Sequence, residues 1–531
     1  KDKTLTIKIK VGNAMNNVEY SVVFRNPSQT NTWTGTAVLN GSNEYTIEGI
    51  KAVTEDGASH TLNVRSDDTR MSWSLETGEN NGKPVSFVAM LKRGSDTSTT
   101  YRLESAVNNI NVNTPYPIIF AISDDTPLYL EVKSASDLKR MDKDTNYYLA
   151  NDITLDSSTL DGEDWDGPTG YRKHFNGNGK TITLELVKTN PNNKDDAKVR
   201  DTGLFNSLSG NAIIENFNIK VKTKANSAGY LQMVGRSHFG GVVGAIGDAG
   251  DYILRDISIT GELKYKVGNE YLLAGGLIGE IRENIGRIEI ENCSSSINID
   301  VTTNSTSRGT LGFGGLIGKS AANKGTVSIT NCLTGGKIIG KITGNGNREL
   351  IAGGIIGDIG QTSGGNEDEE LTIKNCYSTT TIKLERDSTN AGNAIIAAGG
   401  LIGYYKNTNA ATVISKSVAL NPQISVSKKP NSNDDPNVYA NRVIGYINND
   451  SNKHKGTMAN NCALSTMEVK LNDVSAPATS DANNVDGLSK TADELKIRTT
   501  WVSALGFSED NWDFSNIAKD GYPTLKLKLS N

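Results

Sequence analysis

Cysteine is scarce in this sequence. Four in 531 residues are too few for a disulfide scaffold. Aromatic residues make up 6% and charged residues 22%, with a formal charge of −5 spread along the chain. Nothing is basic enough to hold nucleic acid through its phosphates. Long apolar runs are missing as well. The longest, Ala394 to Gly403, is about ten residues and interrupted by glycine, where a membrane span needs roughly 20. The chain opens on Lys1, with no Met and no signal-peptide core. The expectation is a processed chain whose targeting information lies outside this sequence.

Glycine (54) and asparagine (57) are abundant instead. There is no G-X-Y period, which excludes collagen, and no low-complexity linker. The hydrophobic fraction of 36% is low for a globular enzyme and too high for a disordered chain. So much Gly and Asn implies many turns and many residues at positive φ. The length predicts two or three domains, or one elongated repeat.

Residues 1–126 read as short strands. TLTIKIKV, EYSVVF (19–24), TAVL (36–39), EYTI (44–47), HTLNV (60–64), VSFVAML (85–91), YRLESAV (101–107) and YPIIFAI (116–122) are separated by polar turns. That spacing predicts a β-sandwich. A short helix follows in VKSASDLKRM (132–141), with Ser134 as N-cap and Asp137 in its first turn.

Then a period appears. FGGVVG (239–244), AGGLIG (274–279), FGGLIG (313–318), AGGIIG (352–357), AGGLIG (398–403) and the degenerate ANRVIG (440–445) align, and TGLF (202–205) is a truncated first copy. Each period holds three strand-like pieces with period-2 alternation. That predicts a parallel β-helix of about seven turns. Turns about 4.8 Å apart give a rod of roughly 35 Å.

Cys293, Cys332, Cys376 and Cys462 each follow an Asn, and the other copies place Phe217, Ile257 and Ser417 at that position. Cys exchanged for Phe, Ile or Ser is a buried filler, since a metal site or an obligatory disulfide would not accept them. The preceding residue belongs in a left-handed turn.

GGLIGEIRENIGRIEIENCSSSINIDV (275–301) and GGLIGKSAANKGTVSITNCLTGGKIIGKI (314–342) resemble the GLUG motif of large bacterial surface proteins. The lead-in DLKRMDKDTNYYLANDITL, Trp165 in WDGPTG, HFNGNGKTITL, and the closing LGFSEDNWDFSNIAKDGYPTLK (505–526) are similar to that group too. The resemblance covers 127–531, about three quarters of the chain. Residues 1–125 resemble, more weakly, the β-sandwich of Bacteroides-type fimbrillin-like lipoproteins. The resemblance implies a secreted or outer-membrane-anchored bacterial surface protein.

Candidate chemistry is sparse. GGKIIGKI (335–342) contains G-x-x-x-x-G-K, but Ile342 stands where a phosphate loop needs Ser or Thr. DGEDWDG (161–167) has three Asp before Gly167 without the 12-residue calcium pattern, and reads as a cap loop. NEDEE (366–370) reads as a solvated insertion. His60, His174, His238 and His454 are scattered, with no H-x-x-x-H, and no G-x-S-x-G occurs. No two consecutive repeats place acids at one aligned strand position with a basic partner, as β-helix polysaccharide enzymes do. Trp501, Phe507, Trp512, Phe514, Tyr522 and Leu525, after a Thr491–Glu494 capping box, read as a hydrophobic plug over the last turn, where open strand edges would otherwise pair with other chains.

The expected architecture is therefore all-β. A β-sandwich (1–126) precedes a cap with first strands (127–201), β-helix repeats (202–470) and a C-terminal cap (471–531), the helix being right-handed. The expected function is a non-enzymatic, cell-surface, adhesin-like protein binding host or matrix ligands. The alternatives are glycan capture and, third, a β-helix polysaccharide lyase or hydrolase. Tyr404, Tyr405 and Trp33 are the candidate ligand-binding residues, as exposed aromatics that stack on sugar. No catalytic residue, metal or cofactor is expected. The partner is an unidentified protein or glycan at the cell surface, with no nucleic acid and no membrane-spanning segment.

Overall fold

The computed structural model describes residues 3–528 apart from 12–13, 25–29, 42–43, 56–57, 68–69, 79–82, 108, 113, 124–125, 162–164, 187–199, 224–230, 234–236, 269–270, 283–285, 305–308, 322–324, 361–369, 388–393, 407–410, 430–436 and 449–456. Strand accounts for 61% and helix for 5%. The chain divides into two compact units, 1–131 and 132–530.

In the first unit, Tyr116–Ala121, Thr30–Asn40, Arg70–Gly78 and Asn63–Asp67 lie side by side in that order. Ser59–Thr61, Tyr45–Thr54, Pro84–Arg93 and Asp96–Ala106 pair antiparallel in a second set. Trp33, Trp73, Ile118 and Phe120 from the first set share one core with Ile50, Phe87, Leu91 and Leu103 from the second. Two features differ from expectation. Among the described residues, Lys3–Val11 and Ala14–Phe24 pair only with each other. The strand Arg70–Gly78 was not foreseen, although Met71, Trp73 and Leu75 alternate with Ser72, Ser74 and Glu76 as a half-buried strand does.

The second unit is a coil. A helix, Ala135–Lys139, opens it, capped by Ser134, whose side chain accepts from the Asp137 amide. From there each turn of chain pairs in parallel with the turn before and after it. One sheet stacks Arg200–Thr202, Ser237–Gly240, Leu272–Gly275, Gly309–Gly314, Arg348–Gly353, Ile396–Gly399 and Val438–Asn441. A second stacks Phe205–Leu208, Val243–Ile246, Ile278–Ile281, Ile317–Ser320, Ile356–Ile359, Ile402–Tyr405 and Ile444–Ile447. The third wall carries the remaining strands of each period, such as Thr326–Thr330 and Leu333–Ile342. Two parallel seven-stranded sheets and this wall are consistent with a β-helix. GGKIIGKI falls within a strand, which removes the phosphate-loop reading.

The repeated glycine pair joins the first two sheets, and its second member is sterically dictated. A Cβ on Gly241, Gly276, Gly315, Gly354 or Gly400 would sit 2.0–2.4 Å from a carbonyl oxygen of the following turn. Over the last repeat the chain that stacks next, around Val485, meets this position with the Asp486 side chain in place of a carbonyl, and there Arg442 takes it. Its guanidinium donates to Ser489 Oγ at 2.9 Å and Gly487 O at 3.0 Å, and its amide donates to Asp486 Oδ1 at 3.2 Å. Arg442 thus ties residues 479–489 over the end, while Ile402 and Ile444 stay in register.

On the third wall, Asn216, Asp256, Asn292, Asn331, Asn375, Lys416 and Asn460 all have φ between 49° and 65°. Asn and Asp tolerate this left-handed geometry best. The next residue of each points inward: Phe217, Ile257, Cys293, Cys332, Cys376 and Ser417 are fully buried. Backbone amides there donate along the stack, from Cys293 to Cys332 Sγ (3.4 Å), Cys332 to Cys376 Sγ (3.4 Å), Cys376 to Ser417 Oγ (3.3 Å) and Ser417 to Asn461 Oδ1 (3.2 Å). The column therefore ends on Asn461. Cys462, expected in it, pairs with Val418 one step further on. All four cysteines are free.

The aromatic C-terminal segment does not plug the end. Helix Ala492–Leu495, with its Thr491–Glu494 capping box, leads into a strap along the flank of the coil. Asn375 Nδ2 donates to Leu505 O (2.7 Å), Trp512 Nε1 to Asn331 Oδ1 (3.3 Å), Asn292 Nδ2 to Lys526 O (3.0 Å) and the Lys528 amide to Asp256 Oδ1 (3.0 Å). The left-handed column thus offers one polar side chain per turn to the strap. Trp501, Leu505, Phe507 and Trp512 pack on Tyr377, Val418, Leu420 and Cys462.

Candidate functional site

Where the glycine pair folds the first sheet against the second, two columns of side chains converge into a narrow seam. Register aligns Asp201, His238, Leu273, Gly312, Ile351, Ala397 and Tyr439 on one side. It aligns Ser207, Ala245, Glu280, Lys319, Asp358, Tyr404 and Tyr446 on the other. The second column is the residue that follows the closing glycine of each repeat. It runs acid, base, acid across three consecutive turns, so its two acids stand two turns apart and not in consecutive repeats.

At one end of the seam, His238 Nδ1 lies 2.8 Å from Asp201 Oδ1 and Nε2 lies 3.2 Å from Glu280 Oε2. Arg282 bridges the same carboxylates, 2.5 Å from Asp201 and 3.3 Å from Glu280. In the middle, Lys319 Nζ is 3.6 Å from Glu280 Oε1. Further along, Lys406 Nζ is 2.9 Å from Glu349 Oε2 and 3.2 Å from Asp358 Oδ2. Asp358 is fully buried, and its Oδ1 accepts no hydrogen bond. Burial pushes its carboxyl up from the ordinary range, against the pull of Lys406 and Lys319. Burial also works against the charge on Lys406, but Asp358 and Glu349 outweigh it and hold the ammonium charged. The far end is aromatic: Tyr404 stacks on Tyr446 at 5.3 Å, and Tyr446 on Tyr439 at 3.7 Å.

A second polar cluster lies on the third wall. Glu215 receives His174 Nε2 at 2.8 Å and Arg255 Nε at 2.6 Å. Burial acts to raise the Glu215 carboxyl, and these two partners overcome it and hold the group below its usual range. Three of the four thiols have the opposite of nucleophilic character: burial raises Cys332 and Cys376 well above an ordinary thiol and Cys462 to about 11. Among the described residues, no group of three or more His, Cys, Asp or Glu is placed to hold a metal ion.

No known protein-family pattern and no curated protein matches the chain. Solved structures are similar to it, among them the following two. One is described as a "putative immunoglobulin A1 protease" from Bacteroides ovatus. It is 15% identical with a TM-score of 0.39, and the match covers 76% of this chain and 94% of that one. The other is named IgA1 protease, 14% identical with a TM-score of 0.31, covering 86% of this chain and 29% of that one. This chain thus spans less than a third of the second protein. Both names are those of an enzyme. They conflict with the expectation of a non-enzymatic adhesin, which is withdrawn, although likeness at this level transfers no activity.

The three ligand-binding candidates do not form an exposed aromatic surface. Trp33 is 3% exposed in the core of the first unit, its indole donating to Thr77 Oγ1 at 3.1 Å. Tyr405 lines a small apolar cavity with Ile414, Ile444 and Met458. Tyr404 alone faces the seam, and at 3% exposure it is packed there, with Lys406 Nζ 5.1 Å from its ring centre. Adjacent strand residues point to opposite faces, so a Tyr-Tyr pair cannot present both rings to one ligand. Trp165 donates to Gly203 O at 3.1 Å, and Asp166 accepts from Asn206 at 2.6 Å, so that part of DGEDWDG packs on the first turn. Residues 162–164 of that loop, 366–369 of NEDEE, and His454 lie outside the described residues. No helix among the described residues is long and apolar enough to cross a membrane.

Proposed function

We propose that this chain is a stiff extracellular scaffold. In this reading a β-sandwich precedes a capped, right-handed parallel β-helix of GLUG-like type. The scaffold holds other parts of a larger bacterial surface or secreted protein at fixed spacing. The observation that carries it is that the coil closes both of its flanks with its own side chains. The seam pairs its charges within itself, and the strap binds the polar column on the third wall. A solenoid whose turns contact only their neighbours gains stiffness from such long-range ties. A catalytic region elsewhere in the same polypeptide is compatible with this role.

The test is incubation of the full chain with immunoglobulin A1 and with casein. The scaffold reading expects both substrates intact after prolonged incubation. Cleavage that survives purification to homogeneity would overturn it. Pulled by its ends in an optical trap, the second unit should yield in few, large, high-force steps; turn-by-turn unravelling at low force would also count against the reading.

A further inference from the structure

Lys406, Asp358 and Glu349 form an arrangement that an ordinary ion pair does not need. Asp358 sits in the turn before Lys406, its register partner being Tyr404. Its carboxyl group is wholly buried and has an oxygen with no partner. Lys406 Nζ approaches the other oxygen at 3.2 Å. That contact sets the amine beside the carboxyl carbon that it would attack. Glu349 touches the same nitrogen at 2.9 Å and is itself fixed by Thr310 Oγ1 at 2.8 Å. Ile351, Ala397 and Tyr404 make the surroundings apolar. Burial lifts the Asp358 carboxyl toward its neutral form, and Glu349 stands where it can take the proton of the charged Lys406 amine. One primary amine, one buried carboxyl and one positioned proton carrier are the requirements for forming an amide.

We propose that Lys406 and Asp358 join in an intramolecular isopeptide bond that staples consecutive turns of the coil. Glu349 takes a proton from the Lys406 ammonium. The freed amine attacks the Asp358 carboxyl carbon, forming the C–N bond and a tetrahedral centre. One carboxyl oxygen then leaves. It carries away the proton returned by Glu349 and a second proton from the nitrogen. An ammonium and a carboxylate thus become an amide and one water, with charge conserved and no oxidant, nucleotide or other reagent consumed. Glu349 ends as it began. The inference stands on these three side chains and not on the scaffold role. A staple would persist in a chain that cut protein, and its absence would leave the paired seam intact.

The experiment is the intact mass of the full chain, reduced and denatured. The expected result is a mass one water below that of the sequence, with fragmentation recovering a peptide that carries residue 358 covalently bound to one carrying residue 406. Lys406→Arg keeps the positive charge but removes the primary amine, and should return the full sequence mass. Glu349→Gln should slow formation about a hundredfold or more after refolding. A wild-type chain of full mass that trypsin cleaves after Lys406 would overturn the proposal. So would a lost water with no linked peptide, because that places the dehydration elsewhere.

Discussion

Gly315 sits where the stacked turns leave no room for a side chain. In Gly315→Ala the new Cβ would lie 2.1 Å from Gly354 O and 2.8 Å from Thr334 Cβ. Ordinary contact begins at 3.4 Å, so the carbonyl of the next turn must retreat by about 1.3 Å. That oxygen accepts the Gly315 amide at 3.0 Å, and losing the bond costs about 1–2 kcal/mol. Overpacking adds about 1–3 kcal/mol. Against this, alanine restricts the unfolded chain and returns about 0.4–1 kcal/mol. The net expectation is destabilisation of about 2–4 kcal/mol. A coil of repeats need not unfold in two states, so hydrogen exchange of peptides spanning 309–320 and 348–359 should accompany urea unfolding. Both peptides should lose protection while those of the first unit keep theirs. Arg442→Ala is the control: its amide meets the Asp486 carboxylate and not a carbonyl of the next turn, so only the cap over 479–489 should loosen. A Gly315→Ala chain as stable as wild type would refute the steric account.

Three further outcomes follow from the same geometry. Native thiols should react slowly and number four on denaturation without reductant; fewer would mean a disulfide that the buried stack does not contain. Trp501→Ala removes a fully buried indole bonded to Leu495 O and should cost about 3–5 kcal/mol; Cys462, beneath the strap, should then label before Cys293, Cys332 and Cys376. Glu215 has a depressed native pKa, so its contribution is complete above the ordinary carboxylate range and is lost as pH falls through the native value. Urea midpoints measured from pH 7 to 3 should therefore fall less steeply in Glu215→Gln than in wild type.

What the sequence could and could not disclose follows from the range of the interactions. The glycine pairs and the Asn-Cys doublets are local and recur, so strand order, turn count and the inward column were readable. ANRVIG broke the pattern because a side chain, Asp486, replaces the close carbonyl that every earlier repeat meets there. Cys462 misled by one residue because Asn460 and Asn461 both precede it, and only pairing decides which takes the left-handed position. The strap was unreadable as a strap: Trp512 meets Asn331 and Lys528 meets Asp256 across more than a hundred residues. The seam lies between these extremes. Glu280, Lys319 and Asp358 occupy one aligned position, a usable signal, but Glu349 and Lys406 join them only once the two sheets fold face to face.

Stacking of residues one period apart is the central claim, and a pair of engineered cysteines tests it most directly. Glu289 and Ser328 face each other in register on the third wall, at the separation of neighbouring strands that a disulfide can span. The double variant Glu289→Cys/Ser328→Cys should oxidise readily in the folded chain. Glu289→Cys/Thr330→Cys, two residues out of register, should not. Equal oxidation of both pairs, or preference for the second, would contradict the account.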